Sequence, residues 1–99
     1  MDRKKIDVSI VIPVFNAASY LSDCLKSVDE QEFNGLLEII LVDDGSVDGS
    51  DIICEEYQRN SKTPVIYIRH EKNQGVSIAR NSGLDSASGK YFFFLDADD

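Results

Sequence analysis

The sequence is short of the residues on which most metal, redox and nucleic-acid sites are built. It has two cysteines, one histidine, and ten Lys and Arg against eighteen Asp and Glu, for a formal charge of -8. Cys24 and Cys54 stand in no CxxC or Cys/His spacing, so they are expected as reduced core thiols rather than as a disulfide or zinc site. His70 lies in a polar stretch without ligand partners nearby in sequence and is expected as a loop or surface residue. The formal charge of -8 opposes phosphate-dominated binding to DNA or RNA, which needs clustered Lys and Arg. A phosphorylated small molecule stays open, provided a divalent cation stands between it and the acids.

Long hydrophobic runs are missing too. Nothing reaches the roughly 20 apolar residues of a transmembrane helix. Met1-Asp2-Arg3-Lys4-Lys5 is followed by a strand-length apolar run instead of the longer core of a signal peptide. There is no internal repeat, low-complexity tract or linker-like shift in composition. The 99 residues, 42% of them hydrophobic, suit a single domain with a modest core.

What is present is an alternation of apolar runs and helical patterns. Residues 8–12 read as a buried strand of β-branched residues, which Pro13 is expected to end because it has no N–H for the ladder. Leu21, Cys24, Leu25 and Val28 recur at helical spacing, predicting a helix over 19–32 that stops at Asn34-Gly35. Residues 37–42 (LEIILV) are a second buried strand. The flexible, small-residue stretch 45–50 then starts a helix through Tyr57, with Ile53 and Tyr57 inward. A third strand over 65–68, a polar loop over 70–75 and a helix over 76–87 follow. In that helix Ala79 and Gly83 form a small-residue face for close packing on a sheet. The unalternating run Tyr91-Phe92-Phe93-Phe94-Leu95 predicts a last strand buried on both faces. The order βαβαβαβ, with connections too long for hairpins, predicts an α/β fold: a mostly parallel sheet with flanking helices.

Parallel strands put their carboxyl ends on one rim, where open α/β sheets take their ligands. Here the rim would collect Pro13, Val14, Phe15 and Asn16 from the first strand, Asp43 and Asp44 from the second, and Asp96, Asp98 and Asp99 from the last. So many carboxylates in a small region repel, and a hard divalent cation is the simplest relief. Such an ion keeps positions that a diphosphate can fill. Asp44 could accept from a base N–H, Phe15 could offer an apolar face, Asn16 could hydrogen-bond, and Arg80 could meet a phosphate or carboxylate. Each also has a plainer use: Asp43 or Asp44 as a turn cap, Arg80 as a solvated helix residue, Phe15 as core and Asp99 as an exposed terminus.

Taken together, VSIVIPVFNAASYLSDCLKSV, LEIILVDDGSVDGS, EKNQGVSIARNSGLDSASGKY and FFFLDADD resemble the amino-terminal part of family 2 glycosyltransferases, inverting enzymes of the GT-A fold. The resemblance implies a Rossmann-like GT-A half domain over 1–99 that binds a nucleotide-sugar donor, usually with UDP, beside Mn²⁺ or Mg²⁺. By position, Pro13, Val14, Phe15 and Asn16 border the nucleoside, and Asp44 reads the base with Asp43 beside it. Asp96-Ala97-Asp98 is similar to the family's DxD motif: Asp98 would be the main metal and diphosphate contact, and Asp96 would face the ribose or a metal-bound water. Arg80 matches a basic position near the donor.

The implied reaction is direct displacement at the anomeric carbon. Its general base, and the half that binds a saccharide or lipid-linked acceptor, are expected beyond residue 99, so the chain is expected to be an inactive fragment of a longer protein. The implied setting is the cytoplasm, at the cytoplasmic face of the membrane for the full-length protein. An apolar strand at the sheet edge would favour self-association. The alternatives are a non-catalytic nucleotide-binding or assembly module, a DxD phosphatase of the haloacid dehalogenase type, and a receiver domain. The last two place their acids on the first strand, where this chain has Pro13 to Asn16.

Overall fold

The computed structural model describes residues 5–97. Strands β1 (Val8–Val14), β2 (Leu37–Asp44), β3 (Val65–His70) and β4 (Tyr91–Phe94) alternate with helices α1 (Ala18–Asp29), α2 (Ser50–Asn60) and α3 (Val76–Ser86). All three pairings are parallel, in the sheet order β3-β2-β1-β4. The α/β class and the βαβαβαβ order match the sequence reading.

Side-chain parity divides the core into two layers, since consecutive strand residues point to opposite faces. Ile12, Val14, Ile39 and Leu41 pack with Leu21, Leu25 and Val28 of α1 and Cys54 of α2. Val11, Ile40 and Val42 pack with Ala79 of α3 on the other face. The apolar stripe of α1 is buried as its spacing predicts, although the helix closes at Asp29 instead of running to Glu32. Helix α3 lies close to the sheet because Gly83 has no side chain: a Cβ there would stand 2.3 Å from a methyl of Val11.

Three expectations are corrected. β1 runs through Pro13 to Val14. Val11 offers its carbonyl to Leu95 N–H, so the alternate position 13 also faces the β4 side, beyond the last β4 partner, and the missing N–H interrupts no bond. β3 runs two residues beyond Ile68, which makes His70 a strand residue. β4 is an edge strand, and Tyr91, Phe92, Phe93 and Phe94 are 41–61% exposed. An unbroken apolar run states what a strand would bury, but not which layers are there to bury it.

At the opposite rim, Glu38 is buried within the run LEIILV. It accepts from Ser9 Oγ (2.6 Å), Ser88 N (2.7 Å) and Ser88 Oγ (3.1 Å), while Ser9 Oγ accepts from Gly89 N (2.8 Å). This set of bonds ties the α3–β4 connection to the first two strands. Glu38→Gln removes the charge from these bonds and turns its NH₂ to Ser88 Oγ, which must then accept rather than donate, and is expected to lower stability by about 1 kcal/mol in urea denaturation.

Candidate donor-binding site

At the carboxyl rim the loops are pinned to one another rather than flexible. Helix α1 has no side-chain cap of its own. Instead Asp48 Oδ2 accepts from Ala18 N (3.0 Å), Ser50 Oγ from Ala17 N (3.1 Å) and Ser46 Oγ from Asn16 N (2.9 Å). Asn16, at φ 47°, returns its Oδ1 to Val47 N at 2.9 Å. The capping residues of 45–50 therefore serve the neighbouring helix, and Ser46 and Ser50 are buried. Gly45, at φ +79°, lets this loop meet the next one, since a Cβ would lie 2.6 Å from Asn73 N.

Parity separates the acid pair of β2. Asp43 faces the α1/α2 layer, fully buried, where Oδ1 accepts from Ser46 N (2.9 Å) and Oδ2 from Tyr67 Oη (3.1 Å). Burial and then the Asp43 charge push the Tyr67 hydroxyl up, so it stays a donor. Arg69 ties Asp51 (2.7 Å) and the Ser46 carbonyl (3.3 Å) into the same assembly. Asp43 thus holds the loop and does not line the cleft.

Asp44 points to the α3 side and is 3% exposed. Its Oδ1 accepts from Gln74 N (2.9 Å) and lies 2.8 Å from His70 Nδ1, and Oδ2 accepts from Gly75 N (2.9 Å). Burial pushes this carboxyl up, but the bonds from His70, Gln74 and Gly75 outweigh it and leave the pKa below the ordinary 3.8. His70, expected in a loop at the surface, has a side chain only 10% exposed, and its Nε2 lies 2.9 Å from Ser82 Oγ on α3. Its place follows from the two extra residues of β3, which bring it level with Asp44.

A cleft of about 230 Å³ opens beside Asp44, lined by Pro13, Val14 and Phe15 from β1 and its loop, Asn73 and α3 residues Val76 and Ala79, and Asp96 and Ala97 after β4. Phe15 is 49% exposed at this wall and so is not core. Of the residues expected at the rim, Pro13, Val14, Phe15, Asp44 and Asp96 come together, whereas Asn16 and Asp43 support the loops behind. Asn73, Val76 and Ala79 were not expected in the wall. They face it because α3 starts at the rim, which the small-residue pair Ala79 and Gly83 could have indicated.

Arg80 is 3.3 Å from Asp96 Oδ1, and its guanidinium carbon is 5.5 Å from the centre of the Phe94 ring. Asp96, with 42% of its side chain exposed, is the accessible carboxylate of the cleft. Asp98 and Asp99 lie outside the described residues, and among the described residues no three His, Cys, Asp or Glu side chains group as for a metal. Cys54 is fully buried with its thiol pushed up to about 12, first by burial and then by the Asp43 charge; it is no nucleophile.

A carboxyl-rim cleft with an aromatic wall, one buried and one accessible carboxylate and an arginine is that of a ligand-binding open α/β domain. The chain belongs to glycosyl transferase family 2, whose model matches residues 9–99. It is 41% identical over 92 residues to the glycosyltransferase GlyA of Streptococcus pneumoniae, covering 93% of this chain and 13% of that protein. The minor teichoic acid biosynthesis protein GgaB of Bacillus subtilis is 40% identical over 94 residues, 94% of this chain and 10% of its own length. Among solved structures, S. aureus TarS 1-349 in complex with UDP-GlcNAc superposes with a TM-score of 0.85 at 33% identity, over 94% of this chain and 27% of that one. The chain thus spans a small part of the relatives it matches. Family membership takes the place of the phosphatase and receiver-domain alternatives.

Proposed function

We propose that residues 1–99 form the donor-binding half of an inverting glycosyltransferase, which holds a nucleotide-diphospho-sugar for transfer to the hydroxyl of a saccharide or lipid-linked acceptor. The observation that carries this reading is the convergence of Phe15, Asp44 and Asp96 on one cleft, in a chain similar to a protein whose structure holds UDP-GlcNAc. In this reading Pro13, Val14 and Phe15 wall the nucleoside, Asp44 accepts a base N–H, and Arg80 meets the diphosphate once its contact with Asp96 gives way.

The donor set fits a divalent cation. Asp96 is accessible, its partner is a single arginine at 3.3 Å, and Mg²⁺-type sites use one or two carboxylates while keeping positions for phosphate and water. Asp96 and Asp98 would hold Mn²⁺ or Mg²⁺, which when bound neutralises charge on the departing diphosphate. Asp44 is a poor ligand because three donors already occupy it. In this reading the general base and the acceptor contacts lie in the part of the family's members that this chain does not span. No described helix is long and apolar enough to cross a membrane. The free, buried thiols Cys24 and Cys54 suit a reducing cytoplasm, and the formal charge of -8 opposes a nucleic-acid partner. The exposed β4 edge supports the expectation of self-association.

The reading is tested by calorimetric titration of UDP and UDP-sugars with and without Mn²⁺, for the wild-type chain and for Asp98→Ala. Metal-dependent binding, weakened about tenfold or more in the variant and without sugar turnover, is the expected result. A folded chain that binds neither ligand, or binds equally well without metal and in the variant, contradicts it.

A further inference from the structure

We propose that His70, itself held by Ser82, is a positioning residue that leaves Asp44 a single free acceptor position, so that the cleft selects a base with one N–H donor, uracil or thymine, over guanine. This rests on the donor-site reading above. A carboxylate offers about four acceptor positions, two on each oxygen. Both positions of Oδ1 are taken, by His70 Nδ1 and Gln74 N, and one of Oδ2 by Gly75 N. The one left is on Oδ2, in a side chain that lines the cleft.

The proton on Nδ1 follows from its partner. A carboxylate can only accept, so His70 Nδ1 carries a proton toward Asp44, and Nε2 lies 2.9 Å from Ser82 Oγ, a hydroxyl that can bond it in either direction. The ring is thereby held at both nitrogens, by Asp44 of β2 and by Ser82 of α3. Guanine presents two adjacent donors, N1–H and the 2-amino group, which call for a carboxylate open at both oxygens. With Oδ1 filled, one of those donors would stay unpaired in the cleft. The imide of uracil or thymine presents one N–H between two carbonyls and leaves no donor over. Without the His70 bond, Oδ1 regains a position and the carboxylate can turn.

The experiment is calorimetric titration of UDP, thymidine diphosphate and GDP into the wild-type chain and into His70→Leu, His70→Asn and Ser82→Ala, all with Mn²⁺. Wild type is expected to bind the two pyrimidine diphosphates about tenfold or more tightly than GDP. His70→Leu should bring the UDP/GDP ratio to within about threefold of unity. His70→Asn keeps an amide N–H toward Asp44 and should retain most of the preference, with Ser82→Ala in between. Partial unfolding lowers all affinities alike and leaves the ratio unmoved.

An unchanged ratio in folded His70→Leu overturns the proposal while the donor-site reading stands. Failure of wild type to bind any of the three nucleotides removes the reading and the proposal together. A ligand-free check is the ¹⁵N spectrum of the imidazole. Protonation at Nδ1, with an Nε2 shift that moves in Ser82→Ala, supports the arrangement; the opposite tautomer refutes it even if UDP binds.

Discussion

Asp44→Ala is expected to abolish detectable UDP binding and to lower the folding free energy by about 3–5 kcal/mol. Both effects have one origin. The carboxylate is the proposed acceptor for the base, and it also holds the N–H groups of Gln74 and Gly75 at the start of α3, 2.9 Å away on either oxygen. Truncation leaves those donors and His70 Nδ1 facing a gap at a site that is nearly closed to water. Asp44→Asn keeps the size but can present only one oxygen to three donors, and should fall between.

The pH dependence follows from the lowered carboxyl pKa. A depressed carboxyl stabilises the fold fully above its unfolded value, ordinarily 3.8, and loses that contribution as the pH falls through the folded value. The stability gap between wild type and Asp44→Asn should therefore be constant near neutrality and close below that range. Urea denaturation at pH 7 and at pH 3 checks it; a gap that widens on acidification would show that the carboxylate is not what holds the start of α3.

Gly83→Val is expected to cost about 3 kcal/mol and to weaken UDP binding without touching the cleft. Any Cβ at this position would stand 2.3 Å from Val11 Cγ1 and 3.3 Å from Val42 Cγ2, and Val11 and Val42 are fully buried in the middle strands. Nothing there can yield cheaply, so α3 must lift. The same helix starts with the peptide groups bonded to Asp44 and carries Ala79, Arg80 and Ser82, so a shift at Gly83 reaches the Asp44 contacts, the proposed base site, and the Asp96 contact together. Gly83→Ala should be milder, because alanine regains helix propensity of roughly 1 kcal/mol. A double-mutant cycle with Val11→Ala should show the two costs to be less than additive by about 1 kcal/mol or more. Strict additivity would mean that the close approach is not what Gly83 provides.

Much of the scaffold was legible because its signals are local. The stripe of α1, the strands 8–12 and 37–42, and the small face of α3 each follow from spacing within one element. The acid pair of β2 was legible as a rim feature, but its two members were read as neighbours in function. The alternation of a strand already divides them: with Ile39 and Leu41 on one face and Ile40 and Val42 on the other, Asp43 must continue the first face and Asp44 the second. Applied to β3, the same rule puts Arg69 with Tyr67 behind Asp43 and His70 beside Asp44.

What the sequence could not supply was pairing across elements. Asp48 looks like a cap for α2 and its Oδ1 does take Ser50 N, but its Oδ2 and Ser50 Oγ serve the start of α1, because the loop that carries them folds over the end of β1. Glu38 breaks an apolar run, and only the proximity of Ser9 and Ser88 explains its tolerance. The exposure of β4 depends on sheet order, which no property of Tyr91-Phe92-Phe93-Phe94 encodes.

That sheet order also sets a timetable for a chain emerging from the ribosome. β1, β2 and β3 are neighbours in sequence and in space, so they can assemble while the rest is still being made. β4 must then cross the whole sheet through α3 to reach the far side of β1, where Val8 meets Tyr91. Until it arrives, one edge of β1 stays open to other strands, and closing it requires contacts between strands far apart in the chain. The strand that delivers Asp96 to the cleft is thus the last of the four to be synthesised, and the nascent chain acquires that wall of the cleft only after the other strands can already have paired.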